Sequence, residues 1–252
     1  MSAEDKLEQM NAMEYADVYD AEHNTPFFHA LYDITLKEWI KKDLITGLVL
    51  DYGCGTGIGL QFYKHLPVLG IDISFSMLKK IQMKMPNIEL LQCDGEHLPF
   101  KDCVFDSSLS MGVLHHLSEP AIGLTEINRV LKKGGNLCLF DVQESHIGNF
   151  AEFVSALFFK KKTKHIRKYK IDEKHPGHPG KNFMNEVLEK CGNFQYKSIY
   201  HKCINHQWLP FQRFWKSSYL IWKFSMRVSE LFDNIPSVKH KGGVVVAILR
   251  KI

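Results

Sequence analysis

Hydrophobic and polar positions along this chain alternate between two rhythms. Short apolar runs end in acidic or glycine-rich turns: Val49-Leu50 before Asp51, Val68 to Ile73 around Asp72, Leu90-Leu91 before Asp94, Phe105 to Met111, and Asn136 to Phe140 before Asp141. Such runs, bounded by turn residues, predict buried strands. Between them the apolar period becomes helical. Thr25 is a predicted N-cap with Pro26 at the first helical position, and Phe28, Leu31, Thr35 and Trp39 follow on one face. Ser74 is a second N-cap, ahead of Met77, Leu78, Ile81 and Met85 over residues 74–84. Glu119-Pro120 opens a helix ending near Leu131, and Gly134-Gly135 reads as its stop before a fifth strand. Strand and helix in this alternation predict an α/β fold with a largely parallel sheet.

Beyond Asp141 the pattern loosens. Residues 182–191 read as a helix, residues 195–204 as a sixth strand, and residues 244–249 as the last. Residues 205–243 lie between those two strands. There, residues 211–232 projected as a helix place Phe211, Trp215, Tyr219, Trp222 and Met226 on one stripe. Arg213, Lys216, Lys223 and Arg227 fall on the opposite side. The stripe can cover a sheet edge, form a homodimer interface, line a substrate pocket as a lid, or rest on an anionic membrane surface. Earlier in the chain, residues 1–22 carry seven acids and one lysine.

The turn after the first strand narrows the function. Asp51 is followed by Gly53, Gly55 and Gly57 at alternate positions, with Cys54 between the first two. Glycine tolerates positive φ and lets a ligand approach the backbone. A dinucleotide loop, G-x-G-x-x-G, needs a third glycine where Ile58 or Leu60 stands. The pyrophosphate register therefore fails. Asp72, at the end of the next strand, is placed to accept two hydrogen bonds from a ribose diol.

The D-x-G-x-G-x-G loop, Asp72, the Cys93-Asp94-Gly95 turn and residues 105–111 and 129–140 together resemble class I S-adenosylmethionine (SAM)-dependent methyltransferases. The likeness covers roughly residues 45–145 and is closest to small-molecule enzymes of the ubiquinone and menaquinone biosynthesis group. It implies a doubly wound, Rossmann-like, seven-stranded and mostly parallel sheet of order 3-2-1-4-5-7-6. The family's last two strands are joined by a short turn, so the helical cap inserted here between them is a departure. One domain results: an N-terminal helical lid segment (1–44), a SAM-binding core (45–145), and a C-terminal part with basic and aromatic insertions (146–252).

Carried onto this chain, the resemblance assigns SAM to Asp51, Gly53, Cys54, Gly55, Gly57, Asp72, Ile73, Met77, Asp94, Gly95, Met111 and Gly112, with S-adenosylhomocysteine as product. Within this set Asp72 would hold the ribose and Asp94-Gly95 the adenine. Met77 reads equally well as core. Tyr15 and Tyr19 resemble N-terminal tyrosines that touch SAM in related enzymes, with core or lid packing as the other reading. His115 and His116 follow the fourth strand, at the sheet edge where ligands bind, and resemble a pair bordering the transferring methyl. Asp141 stands at the end of the fifth strand, placed to orient or charge an imidazole that acts as base.

Three functions follow. The first is methyl transfer to oxygen or carbon of a small, apolar acceptor. The second is an RNA or protein methyltransferase using the basic stretch at 160–170. The third is a non-catalytic SAM-binding regulator or scaffold. Ser110-Met111-Gly112-Val113 stands where base N-methylating enzymes carry N-P-P-[YFW], and a net charge of +4 is a weak nucleic-acid footprint. The six cysteines include no C-x-x-C pair, His175 and His178 lack further ligands nearby, and no metal is expected. With no signal peptide and no apolar run of membrane-spanning length, the expected location is cytoplasmic, with peripheral membrane contact through the cap as a variant.

Overall fold

A computed structural model of the chain describes residues 11–142, 183–190, 194–202, 219, 220, 223 and 244–252. Its elements run α1 (Met13–His23), α2 (Pro26–Lys41), β1 (Val49–Tyr52), β2 (Val68–Asp72), α3 (Phe75–Lys84), β3 (Glu89–Gln92), β4 (Phe105–Met111), α4 (Pro120–Val130), β5 (Leu131–Val142), α5 (Phe183–Lys190), β6 (Phe194–Lys202) and β7 (Val244–Lys251). The basic stretch at 160–170, His175, His178 and all of the aromatic stripe except Tyr219 lie outside the described residues.

The seven strands form one sheet of order β3-β2-β1-β4-β5-β7-β6, as the resemblance implied. β1 to β5 are parallel, and β7 runs antiparallel between β5 and β6. Strand residues send alternate side chains to two cores. Val49, Leu109, Val244 and Val246 join α2 on one face, while Leu50, Leu137, Val245 and Ala247 join α4 and α5 on the other. Burial on both faces explains why these strands read as apolar runs rather than as alternating patterns.

Both expected caps form. Thr25 Oγ1 accepts the Phe28 N–H and Ser74 Oγ accepts the Met77 N–H. The Gly134-Gly135 reading needs correction. α4 stops at Val130, Leu131 is already extended and pairs with Phe105, and the glycines lie inside β5. The ladder shifts register between Phe105 and Ser107, and Gly134 takes φ +76° within that irregularity. A Cβ at Gly135 would lie 2.9 Å from the carbonyl oxygens of Asp106 and Lys132. These glycines serve a strand bulge rather than a helix stop.

The cap insert meets the core through Tyr219 and Lys223. Lys223 does not point away into solvent as the projection placed it. Its Nζ lies 2.8 Å from Asp33 Oδ2 on α2, and Lys37 pairs with the same buried carboxylate. Burial works against that carboxylate, but hydrogen bonds from Lys223, Lys37 and Tyr219 outweigh it and lower its pKa to about 2. No helix among the described residues is long and apolar enough to cross a membrane.

Candidate active site

At the carboxyl ends of β1 and β4 the chain forms a crevice lined by Asp51, Gly53, Cys54, Gly55, Thr56 and Met111, with Tyr19, Tyr32 and Tyr63 closing it. The loop glycines do different jobs there. Gly53, Gly55 and Gly57 all have positive φ. A Cβ at Gly53 would lie 2.5 Å from both γ-carbons of Val113, and one at Gly57 would lie 2.8 Å from Ile81 Cγ1. At Gly55 the nearest atom is Tyr19 Cε1 at 3.9 Å. Gly53 and Gly57 thus let the loop pack against the protein, whereas Gly55 lines the crevice with room where a Cβ would stand.

Asp72 ties this loop to α3. Its Oδ2 accepts the Gly55 N–H and its Oδ1 the Ser74 N–H, each at 2.9 Å. Burial pushes its pKa up, against the opposing bonds from the Ser74, Gly55 and Ile73 N–H groups. Those three donors take three of the four lone-pair sites of the carboxylate and leave one for a ribose hydroxyl. Asp51 is buried beside it and accepts the Tyr63 hydroxyl at 2.8 Å. Burial raises the Asp51 carboxyl to about 7; the Tyr63 bond works against that shift and the Asp72 charge adds to it. Tyr63, on the turn after the 3-10 residues Leu60–Phe62, was not among the expected site residues. A tyrosine twelve positions from its carboxylate carries no local signal.

The remaining cofactor candidates spread along the same edge. Ile73 is 40% exposed, whereas Met77 is buried in α3. Asp94 is exposed; its Oδ1 accepts the Glu96 N–H at 2.9 Å and its Oδ2 lies 3.2 Å from His97 Nδ1. Gly112 takes φ +71°, a Cβ there would lie 4.0 Å from His115 Cε1, and its N–H donates to the Phe140 carbonyl.

Beyond Gly112 the 3-10 turn Leu114–His116 carries the histidine pair. Asp141 is fully buried; its Oδ2 accepts the Leu114 N–H at 2.8 Å and its Oδ1 lies 2.5 Å from His115 Nδ1. A carboxylate accepts only, so the proton of this bond belongs on Nδ1 and the basic atom of the neutral ring is Nε2. His116 packs on His115 with ring centroids 3.9 Å apart and is itself exposed. The structure therefore brings His115 and Asp141 together and leaves His116 on the outside.

α1 lies across α3 next to the crevice. Asp17 pairs with Lys80, Asp20 with Lys84 at 2.5 Å, and Asn11 Oδ1 accepts the Phe75 N–H at 2.7 Å. Only Ala16 of α1 is buried. With Tyr19 in place the crevice retains a free volume of about 30 Å³. A second, larger cavity of about 440 Å³ is lined by Asn24, Pro26, His29, Phe62 and Tyr219. His29 bridges there, with Nε2 2.5 Å from Asn24 Oδ1 and Nδ1 3.1 Å from Gln61 Nε2.

The strand order and the ligand crevice at its switch point define a Rossmann-like α/β domain of the SAM-methyltransferase type. Residues 50–139 match the family model described as a methyltransferase domain. Over residues 50–139 the chain is thus similar to class I SAM-dependent methyltransferases, whose fold it shares. Among curated relatives, "Probable tRNA methyltransferase 9B" of Bos taurus is 30% identical over 141 residues, covering 52% of this chain and 30% of that protein. "Demethylmenaquinone methyltransferase" of Renibacterium salmoninarum is 36% identical over 105 residues, covering 40% and 44%. The chain spans about half or less of the length of such relatives. A solved SAM-dependent methyltransferase from Thermotoga maritima, described as a possible histamine N-methyltransferase, aligns with a TM-score of 0.62. At 19% identity it covers 95% of this chain and 97% of its own, and it shares the fold.

Proposed function

We propose that this chain transfers the methyl group of SAM to oxygen or carbon of a small, mainly apolar acceptor and releases S-adenosylhomocysteine. The observation that carries the reading is the doubly anchored Asp72 beside Gly55, a crevice-lining loop glycine with room where a Cβ would stand. The pair suits a ribose diol next to a chain that must lie close to backbone. Asp51, neutral or charged near pH 7 in its buried setting, suits the cofactor's α-ammonium. Asp94-Gly95, with Ile73, would hold the adenine, and Met111 and Gly112 the methionine end.

SAM supplies a methyl on a positively charged sulfur, so its leaving group is neutral and no oxyanion hole is needed. What remains for the protein is alignment, exclusion of water and, for a hydroxyl or acidic carbon, removal of a proton. His115 is the proposed base. Asp141 fixes its tautomer, directs Nε2 as acceptor and stabilises the imidazolium that forms. His116 packs behind it.

α1 is the proposed lid. With α1 in place the crevice holds about 30 Å³, against roughly 300–1,000 Å³ for small-molecule sites, so the cofactor enters as α1 moves off α3. The larger cavity, with Phe62 and Tyr219 on its wall, has the size and aromatic character of an acceptor pocket. RNA methylation is a second reading, favoured by the tRNA methyltransferase among the relatives. Incubating the protein with methyl-labelled SAM and either a metabolite extract or total RNA separates them. Label in small molecules supports the proposal, label in RNA supports the second reading, and label in neither contradicts both.

A further inference from the structure

Tyr52 ends β1, and its side chain is 1% exposed. It pairs in register with Ile71 on β2 and Ser110 on β4, and it belongs to the core that α4 covers. Its hydroxyl is sealed from solvent and has no hydrogen-bond partner among the described residues. Burial first, then the neighbouring acids Asp94 and Glu96, push the phenol far up, so it stays a protonated donor. A buried donor with no acceptor is disfavoured. Phenylalanine would avoid that cost, so the oxygen's place calls for a steric reason.

Two glycines supply one. A Cβ at Gly95 would lie 2.3 Å from the Tyr52 hydroxyl and 2.6 Å from its Cζ. A Cβ at Gly123 would lie 2.6 Å from the same hydroxyl and 2.5 Å from Leu117 Cδ1. Neither glycine has a left-handed φ. What these positions require is therefore the missing side chain and not an unusual backbone. Gly123 sits inside α4, where glycine is a poor helix former. The notch joins the turn after β3 to the first turns of α4, and Glu96 Oε1 accepting the Glu119 N–H at 2.8 Å reinforces that junction.

We infer that Tyr52 is a positioning residue for the nucleobase end of the site, its phenol tip acting as a spacer between Gly95 and Gly123 that sets where the Asp94 carboxylate stands. This rests on the methyltransferase reading, in which Asp94 meets the adenine amino group. Gly95 then serves Tyr52 through its missing side chain, while its backbone stays beside Asp94 at the adenine. Asp94 is otherwise held by bonds within its own turn, to the Glu96 N–H and His97, so the height of that turn decides where its oxygens point.

The test compares binding of S-adenosylhomocysteine with that of S-inosylhomocysteine, in which a carbonyl replaces the amino group. A site built around that amino group should prefer the first by about tenfold or more in the wild type. Tyr52→Leu should reduce the preference to about threefold or less, and Tyr52→Phe, which keeps the ring and the fold, to an intermediate value. Gly95→Ala should lower both the preference and the melting temperature, yet add nothing in a Tyr52→Leu background, where its collision partner is gone. An unchanged preference in Tyr52→Leu and Tyr52→Phe would reduce Tyr52 to ordinary packing and overturn the inference. A wild type that binds both nucleosides equally overturns it while sparing the methyltransferase reading. A wild type that binds neither overturns the two together.

Discussion

At the end of β2 and in the loop after β1 the candidate binding groups are held by main chain, whereas His115, just beyond β4, is held by another side chain. Asp72 is fixed by two backbone N–H donors, and the loop beside it is fixed by glycines packed against Val113 and Ile81. His115, by contrast, takes its orientation from one buried carboxylate, which also caps the turn that carries it. A main-chain cradle serves any ligand with the right polar groups, and it changes only when the fold does. A side-chain pair can be altered without disturbing the backbone. On this account the first region binds and the second does chemistry.

The contrast can be broken most forcefully at the loop. Gly53→Ala meets both a left-handed φ and the Val113 side chain, so it should cost about 3 kcal/mol of stability, measured by denaturant unfolding. Gly55→Ala carries only the backbone strain, about 1–2 kcal/mol, and should act mainly by weakening SAM. Equal stability losses at the two positions would remove the distinction between a packed and a ligand-facing glycine. Next, Asp141→Asn should lower turnover about a hundredfold, with SAM affinity changed less than about threefold. His115→Ala should behave similarly. A variant that loses SAM binding instead would place Asp141 in the cradle.

A gentler probe is pH. Asp51 has its folded pKa raised to about 7, so below that pH a cationic ligand must displace a proton from it. SAM binding should therefore be about tenfold weaker at pH 6 than at pH 8, and the slope should vanish in Asp51→Asn. The smallest effect belongs to the cap. Asp33 titrates below the ordinary carboxylate range, so its ion pairs stabilise the fold above about pH 4 and are lost as pH falls through about 2. Lys223→Ala should cost about 1 kcal/mol at neutral pH and nothing near pH 2.

The binding region was the more legible of the two in the amino-acid sequence, because its signals are local. A glycine loop, an acid at the end of the next strand and caps at Thr25 and Ser74 each fit within a few residues. The Asp141–His115 pairing was also accessible, since both groups end neighbouring strands in a sheet whose order the motifs imply. Contacts between distant segments were not. Lys223 reaches Asp33 from 190 positions away, and helical projection alone sent it to solvent. The salt links from Asp17 and Asp20 to α3 likewise depend on where α1 lands. Gly134-Gly135 misled because a helix stop and a strand bulge use the same residue type. The separate jobs of Gly53 and Gly55 emerge only once Val113 and Tyr19 are in place.

The most direct measurement is calorimetric titration of the wild type and Asp72→Ala with SAM. Micromolar binding by the wild type, weakened at least about tenfold (about 1.4 kcal/mol) in a folded Asp72→Ala, is the predicted result. Undiminished affinity in that variant, or no binding by the wild type at all, would contradict the account.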